Sequence, residues 1–297
     1  AFVSYNVMER LGIGAGVYVA GGTNSEFNDV DFPNASYPPG AGSFTFNPDF
    51  KAKLSVTEVS VGAGYGITDD LRIGAAWRMA LVSAELSSAA YNTTGVPKII
   101  GLNLKDLKDT RFNGFRLGAQ YAPKDGNWGV GAGFRSSIKF IAKGDLSGQA
   151  EAPAAGIATP TDVTINREAE AASEFPMQIS LGAFFAVMDK KLRIMPEYTF
   201  TRYAVNKTLD LNGSFTLPGA LAGAGVQQVS DLPQNWNNQS NYRLGFEYLM
   251  SDTCALRAGY VATTQVTPKN RARATFASPG LGHTISIGAG TAVLENK

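Results

Sequence analysis

The stretch Leu71-Arg72-Ile73-Gly74-Ala75-Ala76-Trp77-Arg78-Met79-Ala80-Leu81 decides the fold. Its odd positions are all apolar, while its even positions hold only arginine, glycine and alanine. A period of two is that of a β-strand, whose successive side chains point to opposite faces. Just upstream, Val59, Val61, Ala63, Tyr65 and Ile67 alternate with Glu58, Ser60, Gly62, Gly64 and Gly66. The pattern recurs over residues 11–19, 115–121, 128–135, 242–248 and 256–260. A soluble sandwich would carry Lys, Thr and Glu on its second face. Glycine interleaved with arginine suits the crowded lumen of a barrel instead. Tyr65, Tyr121, Trp128, Tyr198 and Tyr248 sit near strand ends, where a membrane barrel carries its aromatic girdles. The expected fold class is all-β, an antiparallel transmembrane β-barrel.

Composition agrees and excludes several alternatives. The chain has 297 residues, 44% hydrophobic and 17% charged, with 33 glycines. It has no apolar run of the 18 or more residues that a transmembrane helix needs. Basic and acidic residues number 26 and 25, so charge gives no argument for a nucleic-acid partner. Cys254, the one cysteine, cannot form an internal disulfide and reads as a small residue of the turn Ser251-Asp252-Thr253-Cys254. His283 is the only histidine, and nothing in the sequence converges on it to build a Ser-His-Asp or histidine metal site. No catalytic residue, metal ligand or cofactor is therefore expected, and the chain does not read as an enzyme. Gly12-Ile13-Gly14-Ala15-Gly16 is spaced by two and precedes no helix, so it is not a dinucleotide fingerprint. Asn34 and Asn92 open Asn-x-Ser/Thr triplets that carry no meaning in an unglycosylated outer membrane.

The connections orient the barrel. Short turns fall at Glu9-Arg10, Thr68-Asp69-Asp70, Lys124-Asp125-Gly126-Asn127, Asp189-Lys190-Lys191 and Ser251-Asp252-Thr253. Between them lie long segments rich in Pro, Gly, Ala, Asn and Ser: residues 21–50, 87–110, 144–173, 212–235 and 267–282. Bacterial barrels have short periplasmic turns and long extracellular loops. About eleven strands result, and both ends point toward the periplasm. Single-chain bacterial barrels close with even strand numbers. Residues 1–297 are thus expected to form one barrel domain that lacks strands at both ends. No signal peptide opens the chain, since Ala1-Phe2-Val3-Ser4-Tyr5 already reads as strand; its N-terminus is expected to be processed or truncated.

Three segments carry a family resemblance. The first runs from Phe2-Val3-Ser4-Tyr5 through Leu11-Gly12-Ile13-Gly14-Ala15-Gly16 to Val19-Ala20-Gly21-Gly22, and the second is the hairpin Val59–Ser83. The third, the most specific, is Leu232-Pro233-Gln234-Asn235-Trp236 followed by Tyr242–Tyr248, Leu256–Tyr260, Ser278-Pro279 and Thr284–Gly290. Together they resemble the long-chain fatty-acid outer-membrane transporter family (FadL-like). The resemblance implies a fourteen-stranded barrel in the bacterial outer membrane, plugged by an N-terminal hatch with an Asn-Pro-Ala segment. No such segment precedes the first strand here.

By alternation Arg72, Arg78, Arg116, Arg135, Arg193, Arg243 and Arg257 point into the lumen, with Glu58, Glu197 and Glu247. Inward charges need partners, so most are expected to pair with one another or with the hatch. One or two would be left to hold a carboxylate. Arg78, Arg135 and Lys139 suit that role, partway up their strands. The resemblance implies a side opening in the wall at Val19, Ala20, Gly21 and Gly22, whose paired glycines permit a bend. Ala20 replaces the proline of the family's kink. The resemblance also implies a greasy outer groove formed by two loops. Val96–Leu104, with Ile99, Ile100 and Leu102, is placed like one, and Ala150–Val163 like the other. An exposed apolar patch usually means a binding surface; the other reading is a loop packed on its own barrel.

The function expected from this is passive transport of long-chain fatty acids or other hydrophobic ligands, with release sideways into membrane lipid. Three rivals stand beside it: a same-family barrel that anchors other outer-membrane proteins, a water-filled porin, and a lipase without a Ser-His pair.

Overall fold

The computed structural model describes residues 1–31, 44–92, 95–273 and 281–291. Its strands are β1 (Phe2–Met8), β2 (Leu11–Phe27), β3 (Phe50–Gly66), β4 (Leu71–Asn92), β5 (Lys98–Tyr121) and β6 (Trp128–Arg135). There follow β7 (Ile138–Ala152), β8 (Ile157–Asp162), β9 (Thr164–Phe175), β10 (Gln178–Val187), β11 (Leu192–Thr201) and β12 (Thr208–Thr216). The last are β13 (Val226–Gln228), β14 (Leu232–Pro233), β15 (Gln239–Ser251), β16 (Cys254–Thr263) and β17 (Gly282–Thr291). Neighbouring strands pair antiparallel in one sheet.

The wall runs β1-β2-β3-β4-β5-β6-β10-β11-β15-β16-β17, eleven strands joined by ten antiparallel pairings. All five short turns stand where the sequence places them. Cys254 is the first residue of β16 rather than part of the turn. A second layer of pairing, β5-β7-β9-β12, continues the wall upward, with β8, β13 and β14 at its margins.

This upper storey corrects the reading of long outer loops. Within 87–110, β4 runs to Asn92 and β5 starts at Lys98. Within 144–173, residues up to 152, 157–162 and 164 onward are strand. Residues 21–50 and 267–282 lie partly outside the described residues. The backbone groups of these segments are satisfied by long hairpins, as groups removed from water must be. β5 alone has 24 residues, against about 9–11 for a strand crossing a bilayer.

The faces of the sheet exchange character partway up. In the lower part of β3 and β4 the outward residues are apolar, with Val61 at 51% and Ile73 at 45% exposure. Above Glu58 and Arg78 the inward set becomes apolar: Ala52, Val56, Ala80, Val82 and Leu86 are all buried. The outward set becomes Thr57, Ser55 and Lys53 on β3, and Ser83 and Glu85 on β4. Leu71 to Leu81 thus forms an outer apolar band of the length a tilted membrane strand needs. Above it the wall faces water outside and packs on itself inside. The inner core there joins β3, β4, β5, β7, β9 and β12 through Leu107, Ile138, Phe140, Ala171 and Leu211 among others.

Two interruptions shift the alternation. Ser136 and Ser137 separate β6 from β7, and Pro176 and Met177 separate β9 from β10. In β6 the odd residues face inward; in β7 the buried residues are Ile138, Phe140 and Ala142. Lys139 consequently faces outward, its side chain 83% exposed, 3.8 Å from Glu174. Its expected place in the lumen is corrected by that change of phase.

Candidate functional site

At the level where the faces exchange, five successive strands each send one polar side chain inward: Tyr18 from β2, Glu58 from β3, Arg78 from β4, Arg116 from β5 and Arg135 from β6. Glu58 is fully buried. Its carboxylate accepts from Arg78 Nη2 at 2.5 Å, from Arg116 Nη2 at 2.9 Å, from Ser60 Oγ at 2.9 Å and from the Tyr18 hydroxyl. Arg116 also donates to the Tyr18 hydroxyl and lies over its ring. Arg78, 3% exposed, donates a further bond to the carbonyl of Ser136 at 3.0 Å. That carbonyl belongs to the interruption between β6 and β7, where Ser136 also takes the Phe115 amide on its Oγ at 2.8 Å.

Two guanidiniums thus meet one carboxylate, and a third, that of Arg135, belongs to the same belt. Arg135 stands opposite Arg116 in the β5–β6 register. Among the described residues it has no hydrogen bond or ion pair, and its Nε is buried without a partner. Like charges directly opposite on adjacent strands are destabilising, and a buried charge without a counterion is costly. Arg135 is therefore the one guanidinium of the three in no ion pair among the described residues. Arg78 is engaged by Glu58 and Ser136, so the structure gives it a supporting place rather than an open one.

Above the belt a cavity of about 240 Å³ opens between the walls. Leu54, Leu86, Leu107, Phe140, Phe175 and Leu211 make it apolar, and Arg135 lies in its wall. Phe140 and Phe175 pack against each other at 5.5 Å between centroids. Ala20, Gly21 and Gly22 line one side of it. There β2 carries a bulge, with register passing from Val19↔Thr57 to Gly21↔Val56. The bulge puts both Ala20 and Gly21 on the inner side and leaves Val19 outward, 69% exposed. A Cβ on Gly22 would lie 2.5 Å from the Leu54 carbonyl oxygen, so the strands approach there as only glycine allows.

The apolar outer segment behaves differently from the exposed patch expected of it. Ile99 is fully buried, and Ile100 and Leu102 pack against a cluster of Ala150, Val163, Phe215 and Leu217. Residues 44–46 close over this region, where buried Glu151 accepts from the amides of Thr45 and Phe46 and from the Thr45 hydroxyl, at 2.7 to 3.0 Å. None of Ile99, Ile100 and Leu102 lines the cavity. They hold the upper storey together.

Alternation did not single out the segment Leu232–Trp236 as part of a site, yet it supplies two cavity residues, Gln234 and Trp236. The Gln234 and Asn235 amides both donate to the Lys207 carbonyl at 2.8 Å, and Asn235 has a positive φ of 47°. Asparagine tolerates that conformation. The turn fixes Gln234 with its side chain in the cavity wall, 4% exposed, and its Oε1 has no donor among the described residues.

The lower lumen charges largely pair across strands. Arg243 Nη1 meets Glu197 at 2.6 Å, and Arg257 Nε meets Glu247 at 2.7 Å. Arg193 lies over the Phe184 ring. Among the described residues no group of three or more metal-ligating side chains comes together.

Comparison with known proteins agrees with this architecture. A Pseudomonas aeruginosa FadL homologue superposes with a TM-score of 0.73 at 16% identity, covering 98% of this chain and 65% of that one. The Pseudomonas putida toluene transporter TodX gives 0.68 at 16% identity, covering 97% of this chain and 72% of TodX. The CymD monoaromatic hydrocarbon channel gives 0.66 at 15%, covering 99% and 73%. The chain thus spans about two thirds of the length of these structures. No curated protein matches its sequence. The family model described as outer membrane protein transport protein (OMPP1/FadL/TodX) matches residues 1–290. The chain belongs to that family, and it is a bacterial outer-membrane β-barrel.

Proposed function

We propose that this protein is a passive outer-membrane conduit for hydrophobic small molecules, with a preference for those that end in an anion. The observation that carries the reading is the largely apolar cavity with Arg135 in its wall and in no ion pair among the described residues, while the cavity's own carboxylates, Glu85 and Glu174, pair with Lys51 and Lys139. Burial of a ligand's apolar body in the cavity supplies about 0.8 kcal/mol per methylene. A carboxylate at Arg135 would gain a charge-assisted bond and relieve the Arg116–Arg135 repulsion. The bulge at Ala20–Gly22 forms one wall of the same cavity, which supports exit sideways into membrane lipid. Long-chain fatty acids and monoaromatic compounds both meet these demands. Of the related structures, TodX is a toluene transporter and CymD a monoaromatic hydrocarbon channel.

A barrel that only anchors other outer-membrane proteins has no use for such a cavity, which favours transport over that alternative. The test is uptake into proteoliposomes holding the full-length protein. Entry of labelled oleate or toluene should rise well above that of empty vesicles, and oleate entry should fall in Arg135→Leu. Entry equal to empty vesicles for both probes would refute the proposal.

A further inference from the structure

We infer that Gln234 reads a hydroxyl on the cargo, so that the cavity selects small amphiphiles bearing a hydrogen-bond donor over plain apolar acids. The inference rests on the transport reading and names its substrate class.

Three observations carry it. Gln234 is 4% exposed and lines the cavity, yet its carbonyl oxygen meets no donor among the described residues. Buried side-chain acceptors are almost always satisfied, so an orphan in a cavity wall is an acceptor waiting for a ligand's donor. The backbone that carries this side chain is also held in place. The amides of Gln234 and Asn235 bond the Lys207 carbonyl, and the Trp236 amide bonds the Asn206 carbonyl at 3.3 Å. Asn206, 4% exposed, is tied in turn to Ser173 and Glu174 on β9 by bonds of 3.0 to 3.2 Å. An acceptor carried on a fixed backbone needs less ordering when a ligand binds.

The lining of the cavity narrows the class. With an orphan acceptor at Gln234, a guanidinium without an ion pair at Arg135 and largely apolar walls, the complementary molecule has an apolar body, an anionic end and a hydroxyl. Ring hydroxy acids and hydroxyacyl acids have this chemistry.

The test is equilibrium binding to the full-length protein in mild detergent, with toluene, benzoate and 2-, 3- and 4-hydroxybenzoate as probes. At least one hydroxybenzoate should bind about tenfold tighter than benzoate, the worth of one added hydrogen bond. Gln234→Leu should abolish that isomer's advantage over benzoate, both measured on the same variant. Gln234→Met, closer in shape, repeats the test should the leucine variant fail to fold, with heat-modifiable gel mobility reporting the folded barrel. Toluene and benzoate binding with no isomer preferred, or a preference that survives both substitutions, would overturn the inference and leave the transport reading standing. A protein that binds none of the probes, and oleate no better, would overturn the transport reading itself.

Discussion

Arg116 and Arg135 face each other across β5 and β6, and only Arg116 is answered by a carboxylate. The arrangement holds two like charges together above the lipid-facing band, with a single Glu58 shared between Arg116 and Arg78. Two like charges so placed disfavour the empty barrel, and on the proposed function an arriving anion would relieve them. This opposition makes the behaviour of Arg135 variants specific.

Arg135→Leu should stabilise the empty protein and weaken it as a binder. Removing a like-charge cross-strand pair is worth about 0.2–1 kcal/mol, while losing a hydrogen bond to a charged group costs about 1.5–3 kcal/mol of affinity. Urea unfolding in detergent should therefore move to slightly higher midpoint. Oleate or benzoate affinity should drop about tenfold or more, and toluene affinity should stay within twofold. A variant less stable than wild type would show that Arg135 has a structural partner instead.

Glu58→Gln should be among the most damaging single changes in the barrel. It leaves Arg78, 3% exposed, and its neighbours without their counterion. Breaking a buried pair in this way costs about 3–5 kcal/mol. The loss is measurable as a lowered unfolding midpoint. The double variant Glu58→Gln with Arg78→Met should recover part of it, because the uncompensated charge goes too.

Gly22→Val tests the bulge. Its Cβ would meet the Leu54 carbonyl oxygen at 2.5 Å, so the strands must part or the bulge must slide. Overpacking of this kind costs about 1–3 kcal/mol. If cargo leaves past the bulge, transfer into vesicle lipid should slow more than equilibrium binding weakens. Equal losses in both would point to general damage to the cavity.

The periplasmic turns carry a separate ionic link. Asp69 bonds Lys124 at 2.5 Å and Arg10 at 2.8 Å, which joins the β1–β2, β3–β4 and β5–β6 turns. Lys124, with Arg10 adding to it, holds the Asp69 carboxyl below its ordinary value. Asp69 in turn raises the Lys124 ammonium. A carboxyl with a lowered folded value gives stability that is complete above about 3.9, its unfolded value, and is lost as pH falls through the folded one. Lys124 gives stability that is complete below about 10.4 and is lost as pH rises through its raised value. Both groups are exposed, so the effect is small and screened by salt. Asp69→Asn should flatten the acid limb of stability at low ionic strength and change nothing at neutral pH in high salt.

The eleven wall strands and five turns were legible because period two and turn residues are local signals. The exchange of faces was also written in the sequence, since Ala52, Leu54 and Val56 hold even positions while Val59 and Val61 hold odd ones. A continuous alternation starts only at Glu58, so it leaves residues 51–57 unassigned and the strand short. Lys139 was misplaced because the Ser136-Ser137 interruption changes the phase, and phase beyond a break is set by tertiary pairing. Which arginine is free was not legible, because the answer depends on the reach of one carboxylate from β3 to both β4 and β5. Gln234 lay hidden in a proline-bearing segment without period, where only the turn onto Lys207 aims it.

The most direct measurement is native mass spectrometry with lipid extraction on full-length protein in mild detergent, followed by oleate displacement, comparing wild type with Arg135→Leu. Wild type should carry a co-purified hydrophobic acid that oleate displaces, and Arg135→Leu should lose most of it while remaining folded. Wild type that is empty and indifferent to oleate, yet retains a protein partner, would contradict the account and favour a barrel that anchors other proteins.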